Sequence, residues 1–124
     1  MKYLWVGFGG ALGSIARYAV SLFIFERMGT RFPFGTFVIN ISGCFIIGFV
    51  LTILDERLGL PPAWREAIAI GFVGAFTTFS TFEYETMRAV QHGHAQTALL
   101  YVLLSVVIGY AAVWAGAAAG RPFA

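Results

Sequence analysis

Gly71-Phe72-Val73-Gly74-Ala75-Phe76-Thr77-Thr78-Phe79-Ser80-Thr81-Phe82 is the stretch on which the fold turns. It lies inside an apolar segment long enough to be a membrane span. Four of the five positions from Thr77 to Thr81 nevertheless carry a hydroxyl. Neighbouring Thr and Ser are mediocre helix formers because their hydroxyls compete for backbone groups. Irregular backbone at membrane depth is tolerated only where protein or a wet cavity surrounds it. The run therefore predicts a helix, a break over Gly74–Thr78, and a second helix.

Three further apolar stretches flank this one. The spans are placed at 3–25, 34–54, 63–90 and 95–119, within a single transmembrane domain covering 1–124. Each is long enough to cross, since a span needs roughly 20 residues. Glu26-Arg27 to Arg31, Asp55-Glu56-Arg57 with Pro61-Pro62, and the His92-Gly93-His94 turn separate them. The first stretch begins Met1-Lys2 like a signal peptide, but it runs on past Arg17-Tyr18 without a cleavage site and is read as a retained span.

Composition supports lipid as the solvent. Apolar residues make up 59% of the chain and charged residues 11%, with a mean hydropathy of +0.80. A soluble domain carries about 25% charged residues. The net charge of +2 is scattered and forms no basic stripe, which excludes a nucleic-acid surface. Cys44 is the only cysteine, set in a small apolar context, so no intrachain disulfide is possible. Gly9 and Gly13, and Gly116 and Gly120, are spaced for close helix packing, with Ser105, Gly109 and Ala112 on the stripe leading to Gly116.

Lys and Arg near span ends set orientation. The N-terminal side collects Lys2, Arg57, Arg65 and Arg121; the other collects Arg27, Arg31 and Arg88. So even a distribution predicts insertion in either orientation, and an antiparallel, dual-topology homodimer in which an inverted copy completes the path. The fold class is thus an all-α membrane protein of four transmembrane helices with a broken third.

Polar groups within spans mark partners or paths. Here they are Asn40, Thr77, Thr78, Ser80, Thr81, Tyr101 and Ser105, all neutral donors suited to a small anion. Arg17 is expected to snorkel or to bind backbone carbonyls of a neighbour. His92 and His94 read as solvated loop residues rather than a metal site. Glu83 and Glu85 fall toward the wet end of the third span. No nucleophile–base pair, phosphate loop or metal-ligand spacing is present, so the chain is not read as an enzyme.

Together, Gly9-Gly10-Ala11-Leu12-Gly13 with Arg17-Tyr18, Gly35-Thr36 with Val38 and Asn40, and the hexamer Thr77–Phe82 after Gly71 and Gly74 resemble the Fluc (CrcB) fluoride channels, in order along essentially the whole chain. The resemblance implies passive fluoride export across the cell membrane, relieving fluoride toxicity, by an antiparallel dimer with two pores. It also implies a structural sodium ion on the dimer axis, held by backbone carbonyls of Gly74 and Thr77. The implied pore residues are Phe79 and Phe82, with Asn40 nearby and hydroxyls from Ser80, Thr81, Tyr101 and Ser105. Gly109 and Val113 stand where family members often continue the polar face of the fourth helix, so the hydroxyl route is expected to end at Ser105. The alternative is a dual-topology exporter of small cations or guanidinium, which would need a mid-span acid that the first span lacks.

Overall fold

The computed structural model describes residues 1–124 and is helical throughout, without strands. Helix α1 covers Lys2–Met28 and α2 covers Phe34–Glu56. The next segment opens with α3, Pro62–Trp64, continues as a π-helix over Arg65–Val73, and closes with α4, Gly74–Phe76. After Thr77 and Thr78 come α5, Phe79–Gln91, and α6, Ala95–Gly120, ending in a 3₁₀ turn at Arg121–Phe123.

The boundaries follow local chemistry. Gly29 takes φ 70° past the end of α1, and its N–H donates to Phe25 O at 3.0 Å. Gly93, at φ 79°, turns the chain between α5 and α6. A left-handed residue suits glycine because it has no Cβ to clash. Pro62 sits in the first turn of α3, where a missing N–H costs nothing.

Three helices, Lys2–Met28, Phe34–Glu56 and the unit Ala95–Phe123, are long and apolar enough to cross a membrane. The segment from Pro62 to Gln91 reaches comparable length only as a series of pieces. Its break is narrower than the Gly74–Thr78 predicted from sequence. Gly74 keeps helical angles (φ −60°, ψ −36°), whereas Thr77 and Thr78 are extended (φ −80°, ψ 158° and φ −150°, ψ 116°). Glycine permits a break; here the hydroxyl residues, with partners described below, make it. The π-helical stretch has no signature in the residue pattern, which is apolar in either geometry.

Backbones approach closely at the glycines predicted to pack. A Cβ on Gly9 would run into Ala67 O, and one on Gly13 into Phe72 O, so α1 lies directly on the π-helix. From the other side, a Cβ on Gly71 would meet Val6 O at 2.6 Å. Helices α2 and α6 share a second such seam, with Gly48 against Val113 O and Gly116 against Phe45 O. Lipid tails are as apolar as leucine, so membrane helices associate by this close fit rather than by hydrophobic burial. Outside the seams, Leu22, Phe23, Leu103, Val106, Val107 and Trp114 are exposed, as expected of a surface that faces hydrocarbon.

Apart from Arg17, which lies midway along α1, the cations fall toward the two ends of the bundle. At one end, Arg65 pairs with Asp55, and Arg57 Nε donates to Phe123 O at 2.7 Å. At the other, Arg31 and Arg88 line a common cavity.

Because Phe45 O and its helix leave no space, Gly116→Leu is expected to overpack the α2–α6 seam. Overpacking typically costs about 1–3 kcal/mol, more where the obstacle is backbone. Gly7 has no neighbouring atom within 4 Å of an added Cβ, so Gly7→Leu is the matched control. Thermal unfolding in detergent with size-exclusion profiles checks this: Gly116→Leu should melt lower and lose its single peak, and Gly7→Leu should not.

Candidate functional site

The site is built around the two extended residues that interrupt the third segment. In an intact helix, the Thr78 N–H would donate to Gly74 O. It donates instead to Asn40 Oδ1 at 2.8 Å, while Asn40 Nδ2 donates to Thr78 O at 3.0 Å. One side-chain amide thus satisfies both the N–H and the C=O of a single residue in the break. Asn40 lies six residues into α2, about 9 Å from its start at 1.5 Å per residue.

Side chains complete the break. Thr78 Oγ1 caps α5 by accepting from Thr81 N at 3.2 Å, and donates to Thr81 Oγ1 at 3.1 Å. Thr77 Oγ1 donates back to Val73 O at 3.0 Å. Its methyl group sits where a Cβ on Gly43 would be, so Gly43 makes room for it. Arg17 Nε donates to Ala75 O at 3.0 Å, so of its two expected arrangements it takes the carbonyl contact rather than snorkelling.

These partners leave a definite remainder. The carbonyls of Ala75 and Thr78 are occupied by Arg17 and Asn40. Thr77 O receives no hydrogen bond, and Gly74 O has lost its ordinary α-helical donor to Asn40. Gly74 and Thr77 both border a hollow of about 380 Å³, shared with Asn40, Cys44 and Phe79. Its lining has no acid and no base. A hard monovalent cation takes oxygen ligands, and neutral carbonyls at an open hollow fit that donor set. Because the Thr77 hydroxyl is engaged with Val73, its carbonyl is the oxygen available.

Phe79 and Phe82 face different surroundings. Phe79 is 75% exposed beside the hollow, while Phe82 is 7% exposed in the core. Their ring centroids are 6.0 Å apart. Phe82 meets Tyr101 edge-on at 4.9 Å, and Tyr101 meets Phe32 edge-on at 5.4 Å. The result is a file of rings from the broken helix to the far end of the bundle. Tyr101, 1% exposed, donates its hydroxyl to Glu85 Oε1 at 3.0 Å. Glu85, with buried Thr36, borders a second cavity of about 560 Å³ at the mouth, beside Arg31, Arg88, His92 and His94.

Of the residues expected from sequence, Asn40, Thr77, Phe79, Phe82, Thr81 and Tyr101 gather around the break or the ring file. Ser80 points to an exposed face and bonds to neither. Ser105, one turn beyond Tyr101, has a buried hydroxyl with no hydrogen-bond partner. Sequence reasoning left three residues out. Glu85 looked like a wet-end acid, yet it is half-buried and holds the Tyr101 hydroxyl. Phe32 sits in a loop and Gly43 among packing glycines; only Glu85, three residues after Phe82 on one helix face, carried a readable signal.

Fold and site define a multi-pass membrane protein built around a broken helix. The chain belongs to the family described as "CrcB-like protein, Camphor Resistance (CrcB)", which matches residues 4–117. It is similar to a protein of Acidobacterium capsulatum named "Fluoride-specific ion channel FluC", 62% identical over 98% of this chain and 97% of that one. A protein of the same name from Solibacter usitatus is 53% identical over 98% and 99%. Another from Citrifermentans bemidjiense is 40% identical over 97% of each chain.

If the amide of Asn40 holds the break, its chemistry matters more than its size. Asn40→Ala leaves a backbone N–H and C=O unpaired, a loss of about 2–6 kcal/mol at about 1–3 kcal/mol for each buried orphan. Asn40→Asp retains an acceptor for the N–H but turns an oxygen toward Thr78 O. It should therefore destabilise nearly as much as Ala. Thermal unfolding of both variants in detergent reads this out; an Asp variant as stable as the parent would rule out the two-sided contact.

Proposed function

We propose that this protein is a fluoride channel that lets the ion leave the cell passively, and so relieves fluoride toxicity. The observation that carries the reading is identity above one half, over nearly full length, to two proteins named as fluoride-specific channels. It makes the chain a transport protein rather than an enzyme. The ring file gives the reading a physical basis. Fluoride is small and strongly hydrated, so a pore must replace its water with donors yet release it. Aromatic edges carry partial positive charge, and Phe79, Phe82 and Tyr101 follow one another, the last two meeting edge to face. Thr81 supplies a hydroxyl beside the break, and the unpartnered Ser105 hydroxyl is free to serve an anion, whereas the Asn40 amide is held by Thr78 and Ser80 faces outward.

The working unit in this reading is an antiparallel homodimer, each copy contributing four spans. Support comes from the near-even division of Lys and Arg between the two ends. It comes also from the exposed Phe79 beside an open hollow, a surface that an inverted copy would cover. Sodium is the ion that suits the hollow. The Gly74 and Thr77 carbonyls of each copy would hold it, and its positive charge would tie two broken helices together.

Fluoride efflux from liposomes containing the purified protein tests the channel. Phe79→Ile and Phe82→Ile are each expected to lower efflux by tenfold or more while the protein stays folded. Folded wild-type protein with no fluoride flux would sink the proposal. Sodium has a separate test: protein prepared with N-methylglucamine replacing sodium throughout should lose flux and dimer stability, and undiminished flux would remove the ion from the account.

A further inference from the structure

The peptide unit between Thr77 and Thr78 carries the open carbonyl beside the hollow, and α2 grips it at two places one turn apart. The Thr77 C=O and the Thr78 N–H belong to one planar trans peptide, so they point in opposite directions. That N–H donates to Asn40 Oδ1 at 2.8 Å, which aims the unbonded carbonyl away from the Asn40 amide. On the upstream side, the Thr77 N–H and hydroxyl both donate to Val73 O, at 3.1 and 3.0 Å. Both ends of Thr77 are therefore tied, and its methyl group supplies a third hold.

The methyl lies in a notch at Gly43, three residues after Asn40 on the same side of α2. Gly43 is buried, and the buried Phe76 ring backs the notch, 3.7 Å from where a Cβ would stand. A Cβ there would run into Thr77 Cγ2. Turning the Thr77 side chain gives no escape. One rotation puts the hydroxyl into the same notch. The other sets the methyl against Val73 O and breaks the hydrogen bond. A side chain branched at Cβ has no further staggered choice. Thr77 must then move bodily away from α2, by on the order of 1 Å to restore ordinary contact, and its carbonyl moves with it.

We infer that Gly43 is a positioning residue for the cation in the hollow: by lacking a side chain it seats the Thr77 methyl, and so fixes where the Thr77 carbonyl presents its oxygen. The inference rests on the sodium reading above. Gly43 offers the ion no ligand of its own and acts only through Thr77. Ligand distances in a metal site hold to about 0.2 Å, so a displacement on the order of 1 Å is large on that scale. Altering a group that orients a ligand without touching the metal typically costs about 10- to 100-fold in affinity. Thr77→Ser keeps the hydroxyl for Val73 and removes only the methyl. In Gly43→Ala/Thr77→Ser a methyl is moved from one wall of the notch to the other, and the carbonyl regains its place.

The experiment prepares the parent and each variant in N-methylglucamine, adds sodium back in a graded series, and reads unfolding temperature in detergent and dimer fraction by size exclusion. Both readings should rise with sodium in the parent. In Gly43→Ala the midpoint of that rise should move to about tenfold higher sodium or more. In Gly43→Ala/Thr77→Ser it should return to within about twofold of the parent, as expected for two residues coupled by direct contact. An unfolding temperature lowered equally at every sodium concentration would mean overpacking alone and would overturn the inference. An unshifted midpoint, or a double variant no better than Gly43→Ala, would overturn it too. If Gly43→Ala yields no folded protein, the double variant decides: it should fold with the parent's midpoint, and failure in either respect counts against the inference. A parent whose stability ignores sodium would remove the sodium reading and this inference together.

Discussion

A peptide group in hydrocarbon has no water to turn to, and the structure depends on how that need is met at Thr78. Each unsatisfied backbone group at that depth costs several kcal/mol, enough to close the break back into helix. Asn40 removes the cost at both ends of the residue with one rigid amide. Everything else about the site follows from the break being affordable. Gly74 O loses its donor, Thr77 borders the hollow with its carbonyl unbonded, and α5 restarts with Phe82 against Tyr101.

The same contact fixes α2 and the third segment relative to each other at one height. The glycine seams do the corresponding work along the length of the helices. Gly9 and Gly13 set α1 against the π-helix, and Gly48 and Gly116 set α2 against α6. Steric seams specify distance but tolerate sliding, whereas a two-sided hydrogen bond specifies register. The combination holds the ring file in line without any buried ion pair in the core.

Much of this was legible in the residues. Composition and the four apolar stretches indicated lipid and helices, the hydroxyl run indicated a break, and the glycine spacing indicated seams. Other features were hidden, for identifiable reasons. The position of the break shifted from the glycine to Thr77 and Thr78 because hydrogen-bond partners on another helix, not local propensity, decide it. Asn40 looked equally suited to glue or path; only its two distances to Thr78 show how it is bound. Glu85 was set aside because acids near a span end usually face water, and its bond to Tyr101 depends on a residue sixteen positions away. Ser80 shares the hydroxyl run but faces outward, since helix geometry after Thr78 separates it from Thr81 and Phe82.

The π-helical stretch has a consequence for how such a chain can evolve. Its turns hold one residue more than an α-helix would close with, and its two ends are pinned: Ala67 and Phe72 against α1 glycines, and Thr78 against Asn40. Deleting a single residue would rotate the rest of that helix, as far as Phe76, by about 100°, and turn the buried Phe76 off its face. Loops elsewhere can lengthen or shorten at little cost. Between Arg65 and Val73 the chain is counted, and drift in length there is closed to it.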